Sequence, residues 1–267
     1  MRIKDATAVV TGASSGIGAA VAREFAARGA RVALLARRQD ELARVAGDIS
    51  AKGGVAKTYG VDLTDAKAVA AVCRRVKDEL GVPDIVVNNA GAGRWLFLDE
   101  TSPDEAVAMM AAPYFASFFV TRAFLPEMLG RNSGHFVFVN SPACRITWPG
   151  AAAYTAARWA QRGLAEALRS DLFGTGLKVT HFIAGGVESP YWKVNPGSRE
   201  RIPKIGRLIP VLSPEKTAAA LARAVEGNKR EVVVPFMMKM NFIQHALFPR
   251  VVEWLMRATG YRRPKRR

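Results

Sequence analysis

The stretch Ala6-Thr-Ala-Val-Val-Thr11-Gly-Ala-Ser-Ser-Gly-Ile-Gly18 decides the fold of this chain. Ala6 to Thr11 is a short β-rich run, suited to a buried strand. Gly12 lets the chain turn sharply, and Gly16 and Gly18 remove side chains where a backbone must approach a ligand. Ile17 to Arg28 then reads as a helix, with Val21 and Phe25 on one face and Gly29 as its stop. A strand, turn and helix in this order aim free N–H groups at a bound anion. The context favours a phosphate cradle over an ordinary connection.

Outward from that cradle, strand and helix patterns alternate. Strands are expected at Arg31–Ala36, Val55–Tyr59, Asp84–Asn88, His135–Asn140, Leu177–Ile183 and Glu231–Val234. Helices are expected over 40–52, 65–80, 103–129, 152–173 and 214–226. Repeated units of this kind imply an α/β fold: a single Rossmann-like, doubly wound parallel sheet of about seven strands with helices on both faces. Ligands then sit beyond the carboxyl ends of the strands. Residues 1–235 are expected to form this domain, and 236–267 a basic, amphipathic helical extension.

At 267 residues the chain can bury a sizeable core. It shows neither a basic-then-apolar leader nor about 18 uninterrupted apolar residues, so no signal peptide and no spanning helix are expected. Two cysteines, Cys73 and Cys144, make no metal or disulfide framework and suit the cytoplasm. The net charge is +16. Such a charge favours phosphorylated ligands, anionic membranes or nucleic acid.

Further motifs follow in order: Asn88-Asn-Ala-Gly91, Ser141, Tyr154 thirteen residues later, and Ala184-Gly185 with Ser189. With Thr11–Gly18 they resemble the classical short-chain dehydrogenase/reductase family over roughly residues 5–235. The resemblance implies hydride transfer between a nicotinamide and a carbonyl or alcohol. Tyr154 would be the general acid/base and Ser141 would steady the substrate oxygen. A phenol ordinarily titrates near 10 and needs a nearby positive charge to work near neutral pH. The family places a Lys one helical turn on; here that residue is Arg158, longer, planar and forked. The resemblance further assigns the dinucleotide to Gly12, Ser14, Ser15, Gly16, Ile17, Gly18, Arg37, Arg38, Asp62, Leu63, Asn89, Ala90, Gly91, Tyr154, Arg158, Gly185, Val187 and Ser189.

The second strand speaks to which dinucleotide. An acidic residue there would accept hydrogen bonds from a ribose 2′-OH. This strand ends Ala36-Arg37-Arg38, which suits the 2′-phosphate of NADP(H). A second departure from the family is Pro113, where the resemblance implies an Asn of a proton relay. Proline keeps a kink but offers no amide side chain.

The segment 188–212 is too long for a plain connection and carries Tyr191 and Trp192. In the family it covers the substrate, and its aromatics suggest an apolar one. Past it, Ile243, Leu247, Val251 and Leu255 recur every four residues, with Pro249 to start a helix and Gly260 to end it. Arg262, Arg263, Lys265, Arg266 and Arg267 follow. Two readings stay open: a peripheral helix on an anionic membrane surface, or a helix docked on its own domain or a partner subunit. Nucleic acid is not expected, because the aromatics lie on the apolar stripe.

The expectation is therefore an NADP(H)-dependent oxidoreductase that interconverts a carbonyl and an alcohol; its rival is a dinucleotide-binding sensor or scaffold with little or no turnover, favoured by Arg158 and Pro113. A hydrophobic substrate of lipid, sterol or acyl type and a homo-oligomer complete it.

Overall fold

The structure, a computed structural model, describes residues 1–263. Lys265, Arg266 and Arg267 of the expected basic cluster lie outside the described residues. Seven strands form one parallel sheet in the order β3-β2-β1-β4-β5-β6-β7. They are β1 (Thr7–Thr11), β2 (Arg31–Ala36), β3 (Val55–Gly60), β4 (Ile85–Asn88), β5 (Gly134–Asn140), β6 (Leu177–Ala184) and β7 (Glu231–Val234). The strand order reverses between β1 and β4, which opens a crevice at their carboxyl ends.

Alternation along β1 shows how the layers are made. Ala8 and Val10 point to one face, where they meet α1 (Gly16–Ala27), α2 (Gln39–Ser50) and α8 (Pro214–Glu226). Val9 points to the other, where it meets α3 (Ala66–Leu80), α5 (Ala116–Gly130) and α6 (Ala152–Asp171). Every residue of β1 is buried, as a strand covered on both faces requires. Val21 and Phe25 of α1 are fully buried, as their spacing predicts.

The long helix expected over 103–129 is not continuous. It is α4 (Pro103–Met110), a π turn (Ala111–Phe115) and α5. Pro113 sits in the π turn, where its missing N–H and its ring interrupt the regular ladder. The whole stretch Pro103–Gly130 is long and apolar enough to cross a bilayer, against the expectation of none. An uninterrupted-run criterion misses it because isolated polar residues break the run without much lowering the mean. Here α5 packs on α3, β4 and β5 as part of the domain.

The tail also departs from a single stripe. It forms two helices, α9 (Phe236–Leu247) and α10 (Pro249–Thr259), broken at Phe248. Pro249 starts α10 and Gly260 caps it, as expected. The buried residues are Met238, Phe242, Val252 and Met256, which pack with Cys144, Ile146 and Ile183. Ile243, Leu247 and Val251 of the expected stripe face outward instead. The break at Phe248 changes the phase of the repeat, so one four-residue spacing cannot describe both helices. Beyond α10 the chain returns over Phe97 and Arg201. Arg263 pairs with Asp99 at 2.6 Å, and the Arg201 guanidinium lies 4.7 Å from the Tyr261 ring centre.

Candidate active site

The cradle is built as its glycines demand. Gly12 and Gly16 have φ of +65° and +54°, in the left-handed region that side chains rarely adopt. A Cβ on Gly12 would lie 3.0 Å from the Ala90 Cα, so the β1 turn and the β4 turn touch at this point. Thr11 fastens them: its Oγ1 accepts from the N–H groups of Asn89 and Ala90, at 2.9 and 3.0 Å, and donates to the Val87 carbonyl. The Asn89 amide donates to the Thr11 carbonyl at 3.0 Å.

A cavity of about 1500 Å³ runs from this cradle to the segment 188–212, the lid of the family resemblance. Of the residues expected at the dinucleotide, Gly12, Ser14, Ser15, Gly16, Ile17, Arg37, Arg38, Asp62, Leu63, Asn89, Ala90, Gly91, Tyr154, Arg158, Gly185, Val187 and Ser189 line it. Gly18 does not. A Cβ there would lie 2.3 Å from the Gly12 carbonyl oxygen, so the missing side chain lets α1 close on the turn. Arg38 donates to the hydroxyls of both Ser14 and Ser15, at 3.2 Å each. Asp62 accepts from the Thr64 N–H and hydroxyl, which hold its carboxyl below the usual range.

Ser141 and Tyr154 line the same cavity, at the end of β5 and in the first turn of α6. The Ser141 side chain caps a short 3₁₀ turn (Pro142–Cys144), accepting from the Ala143 N–H at 3.3 Å. Arg158 is buried, and its guanidinium carbon lies 5.1 Å from the centre of the Tyr154 ring. This is cation–π distance. The guanidinium also crowds Gly91, where a Cβ would lie 2.7 Å from Nη2. Its Nη1 donates to Gln161, whose amide donates to Ser117; the Ser117 hydroxyl donates to the Pro113 carbonyl at 2.6 Å. Gln161 and Ser117 escape a reading of the sequence because each becomes meaningful only beside a residue on another element. Gln161, three residues after Arg158, is the position at which a helical neighbour could have been sought.

The end of the cavity away from the cradle is aromatic. Trp95 lies 4.9 Å from Trp148, 5.6 Å from Tyr154 and 5.6 Å from Trp192, ring centre to ring centre. The lid is ordered by short helices: α7 (Tyr191–Val194) and two 3₁₀ turns (Arg199–Arg201 and Lys204–Leu208). It is latched to 93–95. Tyr191 donates to the Gly93 carbonyl at 2.5 Å and accepts from the Trp95 indole at 3.2 Å, while Ser198 accepts from the Trp95 N–H at 2.9 Å. Burial and the neighbouring Tyr154 push the Tyr191 phenol well above its ordinary range. The roles of Trp95 and Trp148 were not read from the sequence, since neither falls in a motif.

Comparison with known proteins agrees with this geometry. The short chain dehydrogenase family model matches residues 6–198. A dehydrogenase/reductase SDR family protein 7-like protein of Anopheles gambiae is 30% identical, covering 93% of this chain and 81% of that relative. A metagenomic short-chain oxidoreductase solved with NADP is 33% identical with a TM-score of 0.73, covering 87% of this chain and 98% of that one. A short-chain dehydrogenase/reductase from Burkholderia phymatum, solved with NAD, has a TM-score of 0.84 and covers 99% of each chain; at 22% identity it speaks to the fold. The chain belongs to the short-chain dehydrogenase family, a family of oxidoreductases.

Proposed function

We propose that the protein interconverts a carbonyl and an alcohol on a hydrophobic substrate, using NADP(H). The observation that carries this is the position of Tyr154, on the wall of one cavity between the glycine cradle and the aromatic cluster around Trp95. The cradle fits a dinucleotide: its glycines leave the space, its helix end offers N–H groups, and Arg38 stands where a 2′-phosphate would add charge-assisted bonds. The bound dinucleotide would supply or accept the hydride. Tyr154 exchanges the proton at the substrate oxygen, and Ser141 orients that oxygen. Arg158 lies beside the Tyr154 ring and would hold the nicotinamide ribose. Trp95, Trp148 and the lid exclude water and favour a lipid, sterol or acyl-like partner over a small polar one.

The test is NADPH oxidation against a panel of apolar ketones and aldehydes, with Tyr154→Phe alongside. The substitution removes the exchangeable proton and is expected to lower turnover by roughly 10²–10⁴-fold, with dinucleotide affinity kept. Full activity in Tyr154→Phe would sink the mechanism. One observation favours a second reading, a dinucleotide-binding sensor or scaffold. Arg158 is tied through Gln161 and Ser117 to Pro113, so the family's Lys and Asn are both replaced. Dinucleotide binding without oxidation of any substrate would favour it.

The buried, unpaired thiols of Cys73 and Cys144, both pushed up to about 12 by burial, support a cytoplasmic setting. Exposed Phe115, Phe118 and Trp159 near and on α5 and α6 support self-association.

A further inference from the structure

The two C-terminal helices carry two apolar faces. One is spent inside, where Met238 and Met256 line the substrate cavity. The other faces solvent: Phe236, Leu247, Phe248 and Trp254 are 70%, 67%, 61% and 62% exposed. Isolated apolar residues on a surface need no explanation, but a run across two adjoining helices does. The lid continues it. Leu208 and Val211 are exposed, while Ile205 and Ile209 of the same segment pack on the inner side of α9 and α10.

Charge selects the occupant. Residues 188–212 hold five Lys/Arg against two Glu, and 236–267 hold eight against one Glu, so these segments carry ten of the sixteen net positive charges, eight of them left once Arg201 and Arg263 are set against Glu100 and Asp99 outside the segments. A second copy presenting the same face would bring like charges together. A surface of anionic headgroups over an apolar interior meets both the cations and the exposed rings.

We propose that the outer face of α9 and α10, with the tip of the lid, docks on an anionic lipid bilayer. The cavity wall is then a single helix away from lipid, because Met238 and Met256 lie on the reverse of the helices that dock. Docking itself is independent of the catalytic reading; delivery of apolar substrates from the bilayer rests on it.

The full chain is sedimented with phosphatidylcholine vesicles and with vesicles containing phosphatidylglycerol, at low and high salt. Binding to the anionic vesicles is expected to be about tenfold stronger than to neutral ones, and to weaken about tenfold as salt rises. The double substitution Phe248→Ser with Trp254→Ser should weaken it by a similar factor, with circular dichroism and NADPH titration unchanged. Brominated lipid should quench Trp254 fluorescence, a signal lost in Trp254→Phe. Absence of binding to anionic vesicles at low salt would overturn the proposal. So would binding that ignores both substitutions, or self-association that the substitutions abolish with no vesicle binding. Loss of the catalytic reading would show instead as no NADPH oxidation with any carbonyl substrate while vesicle binding stays intact.

Discussion

Arg158 donates from Nη1 to Oε1 of Gln161 at 3.3 Å, within α6. The bond aims the guanidinium along the inside of the domain, toward Ser117 and the π turn at Pro113. Lysine is the family's residue at this position, and the sequence leaves open whether restoring it would help. The structure argues against it, because Gln161 is fully buried and would keep an acceptor with no donor. Such a group costs about 1–3 kcal/mol. Arg158→Lys is therefore expected to lower the thermal midpoint by several degrees and to leave turnover no higher. A gain in turnover at unchanged melting temperature would show that the guanidinium is dispensable.

Arg38 bridges Ser14 and Ser15 at the rim of the cradle. Arg38→Asp should weaken NADPH binding by roughly tenfold to a hundredfold, with a much smaller effect on NADH. Fluorescence titration of both dinucleotides checks it. Equal losses for the two would mean that Arg38 holds the loop rather than reading a phosphate.

Tyr191 joins the lid to Gly93 and Trp95. Tyr191→Phe keeps the ring and removes both bonds. The expected result is a KM raised several-fold with kcat changed less, since Tyr154 and Ser141 stay in place. A collapse of kcat at constant KM would instead place the Tyr191 hydroxyl in the chemistry.

His135 governs a pH dependence. Its Nε2 lies 2.7 Å from the Thr180 hydroxyl, which itself donates to the Lys229 carbonyl, so Nε2 carries the proton. Nδ1 is buried with no partner. Burial depresses the imidazole from 6.5 to about 3. Between those values the unfolded chain holds a proton that the folded chain does not. Stability is full above about 6.5 and falls as pH drops toward 3, by up to about 1.4 kcal/mol per pH unit. Urea midpoints at pH 7 and pH 5 should differ by less in His135→Phe than in the parent. An unchanged difference would assign the acid sensitivity to other groups.

Much of this was legible in the sequence. Thr11–Gly18 gave away the cradle because turn geometry and ligand approach both leave glycine as the economical solution. The inner strands were legible because a sheet covered on both faces needs continuous apolar runs, whereas the edge strand β3 is largely exposed. The π turn was not, since a helical repeat looks alike on either side of Pro113. Nor was the fate of the tail: an apolar stripe shows that a face seeks cover, not which of two faces finds it. The packing role of Gly18 was not legible, because close approach to backbone and close approach to phosphate demand the same missing side chain. The Arg158–Gln161–Ser117 chain was hidden because Ser117 comes from another helix.

The return of the chain over Phe97 and Arg201, ending in the Arg263–Asp99 pair, has a consequence for biosynthesis. The glycine cradle draws mainly on residues 12–91, so its parts emerge early from the ribosome. The apolar wall waits for Met238 and Met256, and the Arg263–Asp99 pair forms later still. The two ends of one cavity are thus completed at different times, and a growing chain holds the pieces of a nucleotide site well before it has a closed place for the molecule it acts upon.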